Sequence, residues 1–237
     1  MTWIIIGDSW SSTEINQLST REFYPFEHSL FQHLRSRYGR DVHCFAEPGH
    51  SDLAQLRRLE AGLQGWSQPV RVLWGWTDWA RGVGFDSVAN RFNQSPHYDP
   101  DVDRNRWIME KSIRGHFKYS DAFNNVKFYH WGGQSPVWLD VATLPGDHTL
   151  LTRDFAHDYY NAPPNSGVST YIGDSDRHHP AYDVRTLWPT TPHTRAETLN
   201  RLAVKHERWR RRNPKLYPDS GHLRWSLYKK LVDLLPT

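Results

Sequence analysis

The sequence predicts a three-layer α/β/α domain built around a parallel β-sheet. Short segments at 3–6, 41–46 and 70–76 have the length and the β-branched or aromatic composition of strands. Amphipathic segments at 26–38 and 51–63 lie between them and have helical spacing. An alternation of strands and helices favours right-handed crossovers, a parallel sheet and helices on both of its faces.

The first strand and the first two helices carry clear local signals. Residues 3–6, Trp-Ile-Ile-Ile, form a continuous apolar run that stops at Gly7, as is typical of a buried parallel strand. The helix at 51–63 offers Ser51 or Asp52 as its N-cap. The helix at 26–38 stops at Gly39 and places its apolar side chains on one face, namely Phe26, Leu30, Phe31, Leu34 and Tyr38.

The second half of the chain alternates recognisable elements with stretches that lack periodicity. The predicted elements are helices at 104–117, 194–212 and 223–235 and a strand at 126–131. Residues 81–103 and 140–193 are rich in Pro, Asp and Gly, and we interpret them as long insertions, since such stretches in a compact domain are usually lids or inserted segments. Because no linker divides the chain, the prediction is a single domain over 1–237.

Composition narrows the possible partners and locations. A chain of 237 residues can bury one sizeable core. Its net charge of +3 is milder than that of a dedicated nucleic-acid binder, so nucleic acid is not the expected partner. Cys44 is the only cysteine, which excludes an intrachain disulfide. The first apolar run is too short for a signal peptide or a membrane span, so we expect a soluble, cytoplasmic protein without a signal peptide and with no membrane partner.

The chain holds 12 tryptophans, and aromatic residues make up 14% of it. Aromatic side chains bury large areas, so they can build a core although apolar residues reach only 38%. Half-exposed tryptophans also suit the binding of sugars or protein partners. Both interpretations stay open at the level of the sequence.

Candidate catalytic residues follow the predicted strands. In a parallel α/β sheet, ligands bind at the carboxyl ends of the strands. The tripeptide Gly-Asp-Ser, ending at Ser9, follows the first strand, Gly49 follows the second and Thr77 follows the third. Asp219 and His222 stand just before the last predicted helix. We therefore expect these groups to converge on one edge of the sheet.

The residue types suit acyl transfer. A serine hydroxyl becomes an effective nucleophile when a base takes its proton, and His222 can act as that base for Ser9. Asp219, three residues before it, can hold the imidazole in the required tautomer. The reaction also needs donors for the developing oxyanion, and the backbone N–H groups of Ser9 and Gly49 suit this role.

This layout resembles the SGNH, or GDSL-type, hydrolase family. The first block of that family is found as Gly7-Asp8-Ser9, its second as Gly49, and its last, Asp-x-x-His, as Asp219 to His222. The resemblance covers essentially the whole chain in order. It implies a flavodoxin-like parallel sheet and a serine esterase that needs no metal or organic cofactor.

The third block of the family, Gly-x-Asn-Asp, is altered in this chain. Thr77 stands where the family has asparagine, whose side-chain amide supplies an oxyanion donor. Threonine offers one shorter hydroxyl donor, and complete loss of such a donor costs roughly 10²–10³ in rate. Similar blocks bearing Thr or Ser, often with an Arg a few residues on, occur in SGNH-like proteins of bacteriophages, and Arg81 lies in that neighbourhood.

The resemblance implies hydrolysis of an ester, in particular removal of an O-acyl (acetyl) group from a carbohydrate, with Ser9, Gly49 and Thr77 forming the oxyanion hole. The expected partner is thus a small-molecule or polysaccharide ester. The altered third block leaves an alternative open: a catalytically weak or inactive SGNH-fold protein that binds glycan or serves as a structural virion component, which would be virion-associated rather than cytoplasmic.

Three other features have simpler explanations. A second Gly-Asp-Ser, at 173–175, is preceded by only two apolar residues, so we predict a loop rather than a nucleophile. The acidic residues and histidines at 174–179 could bind a metal ion, but we favour a solvated loop and predict no metal site. The basic run at 207–215 could contact phosphate, but cations are also favoured at a helix C-terminus, which is the interpretation we prefer.

Overall fold

The computed structural model shows a five-stranded sheet with the strand order β2-β1-β3-β4-β5, in which every neighbouring pair is parallel. This is the flavodoxin-like order, and it confirms the predicted α/β fold class. The structure describes residues 2–12, 29–48, 50–77, 102–133, 135–163, 205, 208–217 and 223–237, without the side chains of 102–106 and 225.

The strands are β1 (Thr2–Ile6), β2 (Val42–Cys44), β3 (Val70–Trp76), β4 (Val126–Gly132) and β5 (Asp147–Thr152). The helices that concern the site are α1 (Leu30–Tyr38), α2 (Asp52–Gly62), α3 (Val102–Tyr119), α4 (Phe155–Tyr160) and α5 (Lys229–Asp233).

Two hydrophobic clusters lie on opposite faces of the sheet. Buried side chains of α2 and α3, such as Leu56 and Ile113, pack on one face with the side chains of Trp74 and Phe128. Buried side chains of α1, α4 and α5 pack on the other face with those of Trp3, Ile5 and Tyr129. Alternate residues of each strand therefore face different helical layers, as expected for a sheet covered on both sides.

The local signals in the first third of the chain are confirmed within the described residues. Ser51 caps α2, because its hydroxyl accepts a hydrogen bond from the amide of Ala54 at 3.2 Å. Helix α1 begins at Leu30, with Ser29 as its cap, and not at 26 as predicted; it ends, as predicted, before Gly39, whose φ of 87° only glycine adopts readily. The predicted strand at 70–76 and the fourth strand are both present.

The interpretation of 140–193 as an insertion is wrong for its first part. Residues 147–152 form the edge strand β5, and residues 155–160 form α4, whose Phe155 is fully buried in the core. β5 is half exposed along most of its length, so its sequence lacks the continuous apolar run of a central strand. Residues 164–193, and most of 81–103, lie outside the described residues.

The C-terminal helices differ from the predicted bounds. The segment predicted as one helix at 223–235 contains a 3-10 turn at Trp225–Tyr228, followed by α5. Of the helix predicted at 194–212, residue 205 and residues 208–212 are described, and they are helical.

The described tryptophans mainly build the core. Six of them are at most 3% exposed: Trp3, Trp10, Trp74, Trp76, Trp131 and Trp138. Trp66 and Trp107 are exposed, at 39% and 58%. The composition left two interpretations of the tryptophans open, core filling and ligand binding, and core filling accounts for the six buried ones. In the part of the chain that the structure describes, no helix has the length and apolar character of a membrane span.

Gly132 at the end of β4 should tolerate no side chain. A Cβ there would overlap the carbonyl oxygen of Arg153, which accepts a hydrogen bond from the amide of Val137 at 2.8 Å. We expect Gly132→Ala to lower the free energy of unfolding by about 1–3 kcal/mol, the usual cost of overpacking. Urea denaturation measures this.

The control is Gly115→Ala in the C-terminal part of α3, where an added Cβ meets no atom within 4 Å. Because alanine favours helix more than glycine does, this variant should gain about 0.4–1 kcal/mol. Equal effects of the two substitutions would contradict the packing described at Gly132.

Candidate active site

Ser9 lies in a tight turn at the carboxyl end of β1. Asp8 forms this turn: its carboxylate accepts the amide N–H of Trp10, and its carbonyl accepts those of Ser11 and Ser12, all at 3.0 Å. The turn thus has the hydrogen bonds of a capped first helical turn, with Ser9 as the residue after the cap. Ser9 is half buried.

Two glycines allow this turn to sit against β3. A Cβ on either Gly7 or Gly75 would overlap the hydroxyl of Ser11, which is 1% exposed. Gly7 also has a φ of 151°, which L side chains rarely adopt. The glycine of the Gly-Asp-Ser tripeptide is therefore required both by its backbone conformation and by the close approach of the turn.

Register brings the carboxyl ends of β1 and β3 together. Ile6, the last residue of β1, pairs with Trp74 of β3, the turn that carries Ser9 follows β1, and Thr77 follows the last residue of β3. β1 and β3 are neighbours in the sheet although β2 lies between them in sequence, so the strand order reverses there. The carboxyl ends of strands at such a reversal form the usual ligand crevice of open α/β sheets.

Thr77 is fully buried and is held by a carboxyl group from α2. Its amide N–H donates to Oδ1 of Asp52 at 3.1 Å, and the indole N–H of Trp138 donates to Oδ2 of the same residue at 3.0 Å. Asp52 is 1% exposed. Burial raises the pKa of Asp52 to about 8, an effect to which the nearby carboxylate of Asp8 adds and which these two N–H groups oppose.

A second buried chain of hydrogen bonds starts at Trp76, the residue before Thr77. The indole N–H of Trp76 donates to Nδ1 of His130 at 2.9 Å, and Nε2 of His130 lies 2.9 Å from Nδ1 of His148. Nε2 of His148 lies 2.9 Å from the carbonyl of Pro145. Because an indole can only donate, both imidazoles are neutral, and each carries its proton on Nε2.

The segments on either side of Asp219 and His222 pack near the Ser9 turn. The ring of Tyr217 contacts that of Trp10 edge-on, with centroids 6.1 Å apart. Leu223 is fully buried in the same cluster as these two rings. The amide of Arg224 donates to the carbonyl of Leu216 at 2.7 Å, which joins the two segments to each other.

Of the predicted site residues, the structure describes Ser9 and Thr77 and brings them to one edge of the sheet. Gly49, Asp219 and His222 lie outside the described residues, so their roles stay predictions. The second Gly-Asp-Ser, its neighbouring acidic and histidine residues and Arg81 lie outside them as well. Among the residues that are described, no three His, Cys, Asp or Glu side chains form a possible metal site.

Sequence reasoning missed the contact of Asp52 with Thr77. The sequence neighbours of Asp52 indicate a helix cap, whereas its contact with Trp138, which lies 86 positions away in the chain, is not visible in a local pattern. It also missed the pairing of His130 with His148, because the strand that carries His148 was not predicted.

Comparison with known proteins adds little to this description. No protein-family model matches the chain, and no curated protein matches it. A solved structure entitled "Crystal Structure of TesA" is similar over 92% of this chain and 99% of that one, with 19% sequence identity and a TM-score of 0.42. A likeness at this level is not evidence of a shared activity. The fold class follows from the strand order of the chain itself.

His130→Gln should flatten the dependence of stability on acid pH. Burial holds the pKa of His130 well below its ordinary value of 6.5, so the unfolded chain binds this proton more readily than the folded one. The folded state therefore keeps its full stability with respect to this group above about pH 6.5, and the free energy of unfolding decreases as the pH falls below that value. In addition, the substitution should cost about 1–3 kcal/mol at neutral pH, because buried hydrogen bonds are disturbed.

Urea denaturation at several pH values on both sides of 6.5 gives the free energy of unfolding against pH for the wild type and for His130→Gln, and the slopes of the two curves are compared. The control is Gln64→Ala after α2, an exposed side chain that does not titrate. The control should keep the wild-type slope. A slope in His130→Gln as steep as that of the wild type would rule out a contribution of the buried His130 imidazole.

Proposed function

We propose that the chain is a serine ester hydrolase in which Ser9 is the nucleophile. The observation that supports the proposal is that Ser9 and Thr77 follow the carboxyl ends of β1 and β3, the neighbouring strands at which the strand order reverses. The contact between Tyr217 and Trp10 supports it, because Tyr217 precedes Asp219 by two residues and Trp10 follows Ser9 directly.

In the proposed reaction, the hydroxyl of Ser9 attacks the acyl carbon while Nε2 of His222 takes its proton. Asp219 holds the imidazole in the required tautomer. The tetrahedral intermediate collapses, the C–O bond to the alcohol breaks, and His222 returns the proton to the departing alcohol. Water then attacks the acyl-enzyme, again giving its proton to His222, which returns it to Ser9 as the acid is released.

The proposed oxyanion hole combines the backbone N–H groups of Ser9 and Gly49 with the hydroxyl of Thr77. The amide of Thr77 already donates to Asp52, so the side-chain hydroxyl is the group through which Thr77 would act. Such donors stabilise the charge that develops on the carbonyl oxygen, and they act most strongly where water is excluded.

We propose an O-acetyl group on a carbohydrate as the substrate, a choice that rests on the resemblance of the sequence blocks to SGNH hydrolases. The six buried tryptophans do not contribute to it, since they serve the core. A glycan-binding or structural protein that has lost the activity is the competing function, and the Ser9 variant distinguishes the two.

Ser9→Ala should abolish ester hydrolysis, with a loss of at least about 10³ in kcat for short acyl esters and for acetylated polysaccharide, because no nucleophile remains. Release of acetate and of p-nitrophenol measures the rate. The matched control is Ser112→Ala on α3, whose hydroxyl donates to the carbonyl of Ile108. This control should keep the wild-type rate. Equal rates for wild type and Ser9→Ala would exclude the hydrolase and favour the glycan-binding protein.

Thr77→Val should lower kcat by about 10-fold to 10²-fold and leave KM nearly unchanged, because it removes an oxyanion donor while keeping the branched shape. Thr77→Asn, which supplies an amide donor, should match or exceed the wild-type kcat. Initial rates with a short p-nitrophenyl ester test both variants. A wild-type kcat in Thr77→Val would show that the hydroxyl is no part of the oxyanion hole.

A further inference from the structure

We propose that Asp52 is a positioning residue of the candidate active site: its carboxyl group anchors the backbone of Thr77 beyond the end of β3 and thereby sets the position of the Thr77 hydroxyl. The inference rests on the proposed function and adds to it a residue outside the predicted catalytic set.

The position of Thr77 in the chain explains why it needs an anchor. The pairing of β3 with β4 ends at Trp76, which lies opposite Gly132. Thr77 is thus the first residue beyond the described ladder. Its amide donates instead to Asp52, a residue of another element, so the carboxyl group takes the place of the next strand partner.

The orientation of Asp52 is unusual for a residue in the first turn of a helix. Acidic residues there normally lie near solvent and interact favourably with the amide groups of their own helix. In α2, the capping contact is made by Ser51, which accepts the amide of Ala54. Asp52, which comes next, is buried and bonds to groups from two other segments, the end of β3 and the loop after β4.

Trp138 makes the anchor rigid. Its indole N–H donates to Oδ2 of Asp52, and its ring packs edge-on against the ring of Trp76, with centroids 5.2 Å apart. Trp76 is in turn bonded to His130. The side chain before Thr77 and the carboxyl group that holds Thr77 are therefore fixed by the same indole.

A buried carboxyl group is costly, and its presence here calls for a compensating role. Both of its oxygens accept a hydrogen bond, so the group is satisfied geometrically, yet burial still strongly disfavours its charged form. Perturbed acidic groups of this kind cluster at functional sites. For Asp52, that role is to hold the amide of Thr77 at the candidate active site.

Asp52→Asn tests the proposal in assays above pH 8, where Asp52 is ionised and both of its oxygens accept, because an asparagine side chain offers one acceptor to the two N–H groups. We expect kcat to fall about tenfold or more while KM changes little, since the oxyanion contact forms only in the transition state. In the Thr77→Val background, where the hydroxyl is absent, Asp52→Asn should cause no further loss. Asp140→Asn, an exposed cap of a 3-10 turn, is the matched control and should keep the wild-type kcat.

Losses that multiply in the double variant would overturn the proposal, because a general structural role of Asp52 would reduce the rate whether or not the hydroxyl is present. Trp138→Phe, which keeps an aromatic ring and removes the donor, should give a smaller loss that is likewise absent in the Thr77→Val background. An unchanged kcat in Asp52→Asn would also overturn the proposal.

A second measurement is independent of activity. In a ¹H–¹⁵N NMR titration from acid to alkaline pH, the amide of Thr77 and the indole N–H of Trp138 should shift together as Asp52 ionises, above the ordinary range of a carboxyl group, and this shift should disappear in Asp52→Asn. If wild type and Ser9→Ala hydrolyse esters equally, the proposed function fails, while the joint shift would still support the anchoring contact. Absence of the shift in the wild type would overturn the anchoring itself.

Discussion

The parallel pairing of β1 with β3 is the contact on which the candidate site depends. It joins strands that are separated in sequence by β2; α1, the helix after β1, packs on one face of the sheet, and α3, the described helix after β3, packs on the other. Ser9 follows the end of β1 and Thr77 follows the end of β3, at the point where the strand order reverses. The close approach is possible because Gly7 and Gly75 present no side chain to the Ser11 hydroxyl.

Tryptophan has two roles in this core. Its rings provide apolar area in a chain of low apolar content, as in the stacked pair Trp74 and Trp76, whose centroids are 4.8 Å apart. Its indole N–H groups also supply donors where the sheet edge buries polar acceptors: Trp76 bonds to His130 and Trp138 bonds to Asp52. Each of these pairs satisfies a polar group that would otherwise be costly to bury.

The sequence was most informative where structure depends on neighbouring residues. The runs at β1 and β3 are continuous and β-branched or aromatic, and the cap at Ser51 is a local contact, so these features were predictable. β5, Asp-His-Thr-Leu-Leu-Thr, is a partly exposed edge strand, and α4 spans only 6 residues, too few for a visible helical period.

In the candidate site, too, features formed by neighbouring residues were predictable and contacts between distant segments were not. The turn at Ser9 was predictable from Gly7 and Asp8, because it is formed by adjacent residues. The carboxyl group behind Thr77 was not, because its burial requires Trp138, which arrives from the loop after β4. Its sequence neighbours identify Asp52 only as a residue at a helix start. Contacts between distant segments are decided by packing, which a local pattern does not contain.

The anchoring of Thr77 bears on how a threonine could replace an asparagine in the proposed oxyanion hole. An asparagine amide is carried on two rotatable side-chain bonds, so its position can adjust to a displaced backbone. A threonine hydroxyl is carried on one bond, and β-branching restricts that bond to few rotamers. Once the backbone is fixed, the hydroxyl has few remaining positions, and little conformational entropy is lost when it donates. A threonine at this position therefore depends more strongly on its backbone anchor than an asparagine would. The bond from the Thr77 amide to Asp52 meets that requirement.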